Sequence, residues 1–174
     1  MAAKLPRYDL PNAAPEPLRL VQLFVNTINL ERGDEWLATW LEEQGLKPSA
    51  RELDQAREVR EAIRELLYAN NGHRVKGDPA AALNQAAAGL RADFASGELK
   101  PEAGGLAGAL GCVLAVAFRA MADGTWSRLK ACRNDRCRWA FYDESRNRSA
   151  RWCSMQLCGN RTKTRAYRAR HSRS

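Results

Sequence analysis

Four cysteines near the carboxyl end of the chain lie in two evenly spaced pairs. Four residues separate Cys132 from Cys137 and Cys153 from Cys158, and fifteen residues lie between the pairs. Two short chelating turns of this kind can surround one Zn²⁺ ion tetrahedrally with four thiolates. Because protein ligands would fill all four positions, the pattern predicts one structural zinc ion, whereas a catalytic zinc keeps a position open for water.

Two other uses of these thiols stay open at this point. Two disulfides would need an oxidising compartment, and an iron–sulfur cluster usually has tighter or less even cysteine spacing. The amino terminus lacks the apolar run and the cleavage site of a secretory signal, so we expect a cytoplasmic protein whose thiols stay reduced. This expectation favours zinc over disulfides, and the spacing favours zinc over a cluster or a redox switch.

Positive charge is concentrated in the same part of the chain. Residues 1–127 contain 14 Lys and Arg against 17 Asp and Glu, whereas residues 128–174 contain 14 against three. Arginine predominates there, and its planar guanidinium suits bidentate contact with phosphate or guanine. The predicted nucleic-acid contacts are Arg146, Arg148, Arg151, Asn160, Arg161, Lys163, Arg165, Arg168 and Arg170.

Two predicted elements carry these groups. The run WAFY at 139–142 suits a short strand or hairpin between the cysteine pairs, and the run RTKTRAYRAR at 161–170 predicts a basic helix. Arg161, Arg165 and Arg168 then share one face of that helix. We expect this surface to bind double-stranded DNA.

Three alternatives to DNA binding stay open. RNA is the closest, because four aromatic side chains in this region could stack on unpaired bases. They are Trp139, Phe141, Tyr142 and Tyr167. The other two are an acidic protein partner and positive charge that only neutralises the zinc thiolates, for which Arg161 is the nearest candidate.

The first 127 residues predict a mainly α fold of about five helices. Apolar residues recur every three or four positions, and Ser49 with Glu52 forms a capping-box pattern. The charged positions of the third helix are expected to be a solvated, ion-paired face, and Cys112 is expected to be buried in the fifth helix. A short hairpin near Glu98 or His73 stays open. The predicted helices cover 18–30, 34–44, 50 to about 70, 79 to about 96, and 101–123.

Several runs of the sequence resemble known families. The runs SRNRS at 145–149, WCSM at 152–155 and CGNR at 158–161 resemble the CGNR zinc finger, and the tripeptide VNT at 25–27 resembles the signature of the helical ABATE domain. One departure is Arg138, which stands after the second cysteine where such turns often carry glycine.

The resemblance implies a domain organisation and a function. It implies an amino-terminal extension at 1–17, a helical ABATE-like domain at 18–127, and a zinc finger with a basic helix at 128–174. Members are described as stress-induced transcription regulators of bacteria, with a finger that binds DNA. A helical body that forms a homodimer or senses a signal is implied too.

The sequence argues against two broad classes. His73 and His171 are the only histidines, and no Ser/His/Asp set, paired-carboxylate site or phosphate-binding glycine loop is present, so we expect no enzyme activity. The longest apolar run, 106–122, has 17 residues and contains Arg119, which is short of the roughly 20 apolar residues that span a bilayer. We therefore expect no membrane partner.

Overall fold

The computed structural model describes residues 12–171 and is mainly helical. Three two-stranded antiparallel hairpins connect the helices. The helices are α1 Arg19–Val25, α2 Leu37–Glu42, α3 Ala50–Ala69, α4 Pro79–Ala86, α5 Gly105–Ala122 and α6 Asn160–His171. The strands are β1 Ile28–Asn29, β2 Asp34–Glu35, β3 Leu90–Asp93, β4 Glu98–Pro101, β5 Leu129–Ala131 and β6 Ala140–Tyr142.

Helix α3 forms the centre of the fold. The predicted capping box is present: the Ser49 hydroxyl accepts from the Glu52 N–H at 3.3 Å, and the Glu52 carboxylate accepts from the Ser49 N–H at 2.8 Å. These bonds satisfy backbone donors that an uncapped helix leaves free. The helix runs for 20 residues and packs against α1, α2, α4, α5 and β5.

Helix α1 is shorter than predicted and ends at Val25. The Thr27 hydroxyl donates to the Phe24 carbonyl at 2.8 Å, and the chain then turns into the hairpin β1–β2. The Trp36 N–H donates to the Thr27 carbonyl at 2.7 Å and closes that hairpin, so α2 begins only at Leu37. A side chain that hydrogen-bonds to the backbone of the preceding turn competes with continuation of the helix, so the Thr27 hydroxyl explains why α1 ends early.

Helix α4 was also predicted too long. It ends at Ala86, and the hairpin β3–β4 replaces its expected second half, with Gly97 at φ +70° in the turn. This is the hairpin that the sequence left open near Glu98, and within 12–171 the segment around His73 forms none. The hairpin packs on α5 at Gly111. A Cβ atom added at this position would lie 2.8 Å from the Pro101 side chain. Tertiary packing here overrides the helix propensity of an alanine-rich run.

The expectation that Cys112 is buried in helix α5 was wrong. Its residues Leu110 and Val113 lie in the core, but Cys112 is exposed and Phe118 is 60% exposed. The helix is long and apolar enough to cross a membrane by length and composition alone, a weak criterion that core helices also meet. Less than half of it, 44%, is buried inside the protein.

The hairpin β5–β6 completes the main core. Leu129, Ala131 and Ala140 are fully buried in the same apolar cluster as Phe24 and Leu67 of the helical body. Of the expected amino-terminal extension, residues 12–17 are described, and they include Asn12, whose carbonyl accepts from the Tyr142 N–H at 2.9 Å. The cysteine-bearing region is therefore packed directly on the helical body.

Candidate metal centre and its basic surroundings

The sulfur atoms of Cys132, Cys137, Cys153 and Cys158 all lie within 4.8 Å of one another. All four side chains are buried, and none forms a disulfide. The Sγ–Sγ distance is 3.6 Å between Cys137 and Cys153 and 3.8 Å between Cys153 and Cys158. A tetrahedral zinc ion with bonds of about 2.3 Å would place its sulfur ligands about 3.8 Å apart. The cluster thus fits one zinc ion.

Two tight turns present these ligands. Cys132 directly follows β5, and the Cys137 N–H donates to the Asn134 carbonyl at 2.8 Å, which closes the first turn. In the second turn the Cys158 N–H donates to the Ser154 carbonyl at 3.0 Å, in a π-helical segment at Met155–Gly159. Each turn therefore supplies one chelating pair, and the hairpin β5–β6 joins the first pair to the core.

The surroundings of the sulfurs suit negative charge. The Asn134 amide donates to Cys158 Sγ at 3.6 Å, and the indole N–H of Trp139, packed in the same cluster, has no hydrogen-bond partner among the described residues. Hydrogen bonds from the other cysteines and from Asn134 lower the pKa of Cys158, whereas hydrogen bonding to the neighbouring sulfurs and burial raise the pKa of Cys153. A bound cation would allow all four groups to be thiolates, since metal ligands must be deprotonated.

Two family models match the chain, and together they cover most of it. Residues 128–171 match the CGNR zinc finger, and residues 18–125 match ABATE, a family described as "Putative stress-induced transcription regulator". The chain belongs to the ABATE family. A search of curated proteins finds no match. The CGNR zinc finger contains all four cysteines, so the predicted zinc cofactor is confirmed, and these cysteines lie close enough together to hold one ion.

The ABATE helices hold the CGNR zinc finger through buried arginines. Arg64 of α3 is completely buried and donates to the carbonyls of Arg138 at 3.0 Å and Val25 at 2.5 Å. Arg60 is also buried and pairs with Glu35 at 2.6 Å. The expectation that these arginines form a solvated face was wrong, because α1, the β1–β2 hairpin and the finger cover this side of α3.

Side-chain amides of the ABATE domain bind the finger backbone as well. Asn26 exchanges two hydrogen bonds with the backbone of Ala140 in β6, at 2.8 and 2.9 Å. Asn71 donates to the carbonyls of Ala131 and Arg151, both at 2.8 Å. The sequence did not predict that these amides bind the finger, although Asn26 is a polar residue directly after the apolar stripe of α1. Asn26 of the VNT tripeptide therefore binds the finger.

Arg138 adopts the backbone conformation of the glycine that often stands at its position. Its φ is +45°, in the left-handed region. Its guanidinium pairs with Glu65 and lies 4.2 Å from the ring centroid of Tyr68. Tyr68 in turn donates to Asp135, and burial together with this acceptor raises the pKa of Tyr68. Arg138 therefore binds the ABATE domain, and the sequence did not anticipate this contact.

The structure separates the predicted nucleic-acid contacts into two groups. Arg148 and Arg151 lie in a cleft beside the turn that follows α3, together with Arg133, which the sequence did not single out. Arg161 is the second residue of α6, and its guanidinium pairs with the Glu31 carboxylate at 2.7 Å. Exposed side chains without a carboxylate partner among the described residues are Arg146, Lys163, Arg165 and Arg168. Asn160 is exposed, and the side chain of Arg170 lies outside the described part.

Most of the aromatic side chains considered for base stacking are unavailable for it. Trp139 and Phe141 are buried beside the cysteines, where they form a small core. Tyr142 is partly buried against the main core. Tyr167 alone among the four is exposed, and its ring stacks on His171.

A different, apolar cleft lies between α5 and the hairpin β3–β4. Its volume is about 600 Å³, and its lining includes Phe94, Cys112 and Phe118. Helix α1 does not contribute to the lining. The charged residues of the lining pair with one another, Lys100 with Asp93 and Arg119 with Glu98, so they identify no ligand.

Proposed function

We propose that the chain is a transcription regulator that binds double-stranded DNA through its zinc finger and α6. The observation that carries the proposal is the position of Lys163, Arg165 and Arg168, which are exposed on a helix that starts two residues after the last cysteine. Because Cys158 is held in the zinc cluster, the direction of this helix is fixed by the metal centre.

The dimensions and charge of α6 suit a DNA groove. The helix has 12 residues, which corresponds to about 18 Å of length, and the major groove admits an α-helix. The described segment contains no acidic residue. Arginines at this spacing would contact phosphates and base edges, in the manner of other recognition helices.

The zinc ion has a structural role in this proposal. Four thiolates complete its tetrahedral coordination, which leaves no position for a substrate or a reactive water. We therefore propose a regulator without enzyme activity, which acts on DNA in the cytoplasm of a bacterium. The ABATE helices would sense the signal or form a homodimer.

The test is binding to a fluorescent random duplex, measured by anisotropy at several salt concentrations. If about six phosphates are neutralised, affinity should fall about 1,000-fold between about 50 and 200 mM salt. The double variant Arg165→Ala/Arg168→Ala should reduce the salt slope by about two and retain one zinc ion. A flat salt response of the parent protein would contradict the proposal.

The matched control removes two positive charges from the ABATE domain. Lys47 and Arg51 are exposed near the start of α3, and neither forms an ion pair within the described residues. The variant Lys47→Ala/Arg51→Ala should bind the duplex as the parent does. If both double variants lose affinity equally, the effect is one of net charge and α6 is not the contact surface.

RNA is the second candidate, favoured by one observation. Tyr167 is 56% exposed on the basic helix and could stack on an unpaired base. Competition between the duplex and a single-stranded RNA of equal length distinguishes the two. Stronger competition by RNA, reduced by Tyr167→Ala, would favour RNA. An acidic protein partner is the remaining prediction and would be indicated by poor binding of both nucleic acids.

A further inference from the structure

A small cleft lies between the ABATE domain and the zinc finger. Its volume is about 310 Å³, and it is bounded by the turn at Asn71–Gly72 on one side and by Lys130, Arg133, Arg148 and Arg151 on the other. No carboxylate side chain lines it among the residues that the structure describes. Four cations therefore meet in a space comparable to the smallest ligand pockets.

One of the four cations is already neutralised inside the protein. The Lys130 ammonium lies 2.6 Å from the Asp143 carboxylate, and both side chains are buried. Burial alone would raise the pKa of Asp143, but hydrogen bonds from Lys130 and Ser145 outweigh it and hold this pKa below its usual range. This pair therefore has a structural role, and the unbalanced charge belongs to the arginines.

The three arginines have no carboxylate partner within the described part of the chain. Arg148 donates one hydrogen bond to the Ser127 hydroxyl at 3.1 Å, which leaves its other N–H groups free. Side-chain partners of Arg133 and Arg151 are likewise absent there. Three like charges around one cleft repel one another, and an anion in the cleft would relieve that repulsion.

The backbone that carries these arginines is fixed. Asn71 donates to the Arg151 carbonyl, and the Arg133 N–H donates to the same carbonyl at 2.9 Å. The Lys130 ammonium donates to the Arg148 carbonyl at 2.6 Å. Because these bonds form without a ligand, an anion would bind to groups that are already ordered, which lowers the entropic cost of binding.

We propose that this cleft binds a phosphate group through Arg133, Arg148 and Arg151. Guanidinium groups match the oxyanion geometry of phosphate in a bidentate manner. The phosphate is either a phosphodiester of a nucleic-acid backbone or a small phosphate ester that regulates the protein. If the phosphate belongs to a nucleic-acid backbone, the proposal rests on the proposed function. If it belongs to a small ester, the proposal is independent of that function.

The first measurement uses the zinc-loaded parent protein and inorganic phosphate. Thermal stability is followed during a phosphate titration at constant ionic strength, with chloride as the replaced anion. We expect saturable stabilisation beyond the chloride baseline, and the variant Arg133→Gln/Arg151→Gln should weaken phosphate binding at least about tenfold. The charge-matched variant Lys47→Gln/Arg51→Gln should bind phosphate as the parent does. The zinc content and the thermal unfolding transition of each variant show whether that variant is folded.

Duplex binding then identifies the source of the phosphate. If Arg133→Gln/Arg151→Gln also reduces the salt slope of duplex binding by about two, the cleft holds a backbone phosphate. If phosphate binding is lost but duplex binding is unchanged, the ligand is a small ester. Saturable phosphate binding by a protein that binds no duplex supports the cleft and contradicts the proposed function. The proposal is overturned if phosphate stabilises the parent protein no more than chloride does, or if phosphate stabilises Arg133→Gln/Arg151→Gln as much as it stabilises the parent.

Discussion

The guanidinium of Arg64 donates a hydrogen bond to the carbonyl of Arg138, at 3.0 Å, and so joins the longest ABATE helix to the residue after the second zinc ligand. Arg64 is fully buried and has Glu61 as its carboxylate partner at 2.9 Å. A zinc module of this size has too little core to fold by itself. This contact shows that the ABATE domain, as well as the metal, fixes the conformation of the finger.

Removal of Arg64 should destabilise both parts of the protein. In Arg64→Ala the Glu61 carboxylate and two backbone carbonyls lose a donor, and a buried carbonyl left without a partner costs about 1 to 3 kcal/mol. Urea unfolding at saturating zinc measures this loss, and a competing chelator measures the expected fall in zinc affinity. Arg51→Ala, on the exposed side of the same helix, should change stability by less than about 0.5 kcal/mol. Unchanged zinc affinity in Arg64→Ala would show that the finger does not depend on this contact.

Arg138 allows backbone and side-chain effects to be separated. Both Arg138→Ala and Arg138→Gly lose the pair with Glu65 and the contact with Tyr68, but only glycine adopts φ +45° without strain. Arg138→Gly should therefore be more stable than Arg138→Ala by about 1 kcal/mol, measured by urea unfolding with zinc present. Equal stability of the two variants would mean that the turn relaxes to a different conformation.

Metal content and thiol reactivity should distinguish Cys112 from the other cysteines. We expect about one zinc ion per chain, its loss in Cys158→Ser, and its retention in Cys112→Ser. In the native zinc-loaded protein a thiol reagent should react rapidly with Cys112, because it is exposed while the four ligands are buried. The reagent should find no rapidly reacting thiol in Cys112→Ser. Rapid reaction of several thiols at full zinc occupancy would contradict the burial of the cluster.

Glu61 should contribute stability that depends on pH. Burial alone would raise its pKa, but the charges and hydrogen bonds of Arg64 and Arg60 outweigh burial and lower it from 4.5. A lowered native pKa gives stability that is present above pH 4.5 and is lost as pH falls through the native value. Because Glu61 is partly exposed, we expect Glu61→Gln to cost about 1 kcal/mol at pH 7.

The measurement for Glu61 is the difference in unfolding free energy between parent and variant across the acid range. This difference should shrink below pH 4.5, because protonation then removes the same charge from the parent. Zinc release in acid affects both proteins, so it cancels in the comparison. A difference that stays constant down to the acid unfolding limit would show that the ion pairs contribute nothing.

Local patterns in the sequence were sufficient for several features. The spacing of the four cysteines predicted the zinc ligands, Ser49 and Glu52 predicted the start of α3, and the run at 161–170 predicted the helix α6. Each cysteine pair, the capping box and the basic helix depend on residues within a few positions of one another, whose geometry is set by the adjacent backbone. The family resemblance added the match of most of the chain to ABATE and the CGNR zinc finger.

Other features depend on segments that are distant in the sequence. From its position in an amphipathic helix, Arg64 is predicted to lie on the surface. It is buried only because α1 and the finger pack over it. Cys112 lies in an apolar run and is nevertheless exposed, since nothing in the described chain covers that face of α5. Arg133 and Arg151 lie in one cleft because the Arg133 N–H and the side chain of Asn71, which is 80 residues from Arg151, both donate to the Arg151 carbonyl. Cysteine spacing and local periodicity predicted the zinc ligands and the main helices, whereas the short hairpins, burial and the grouping of charges were decided by tertiary packing, because these depend on which distant surfaces meet.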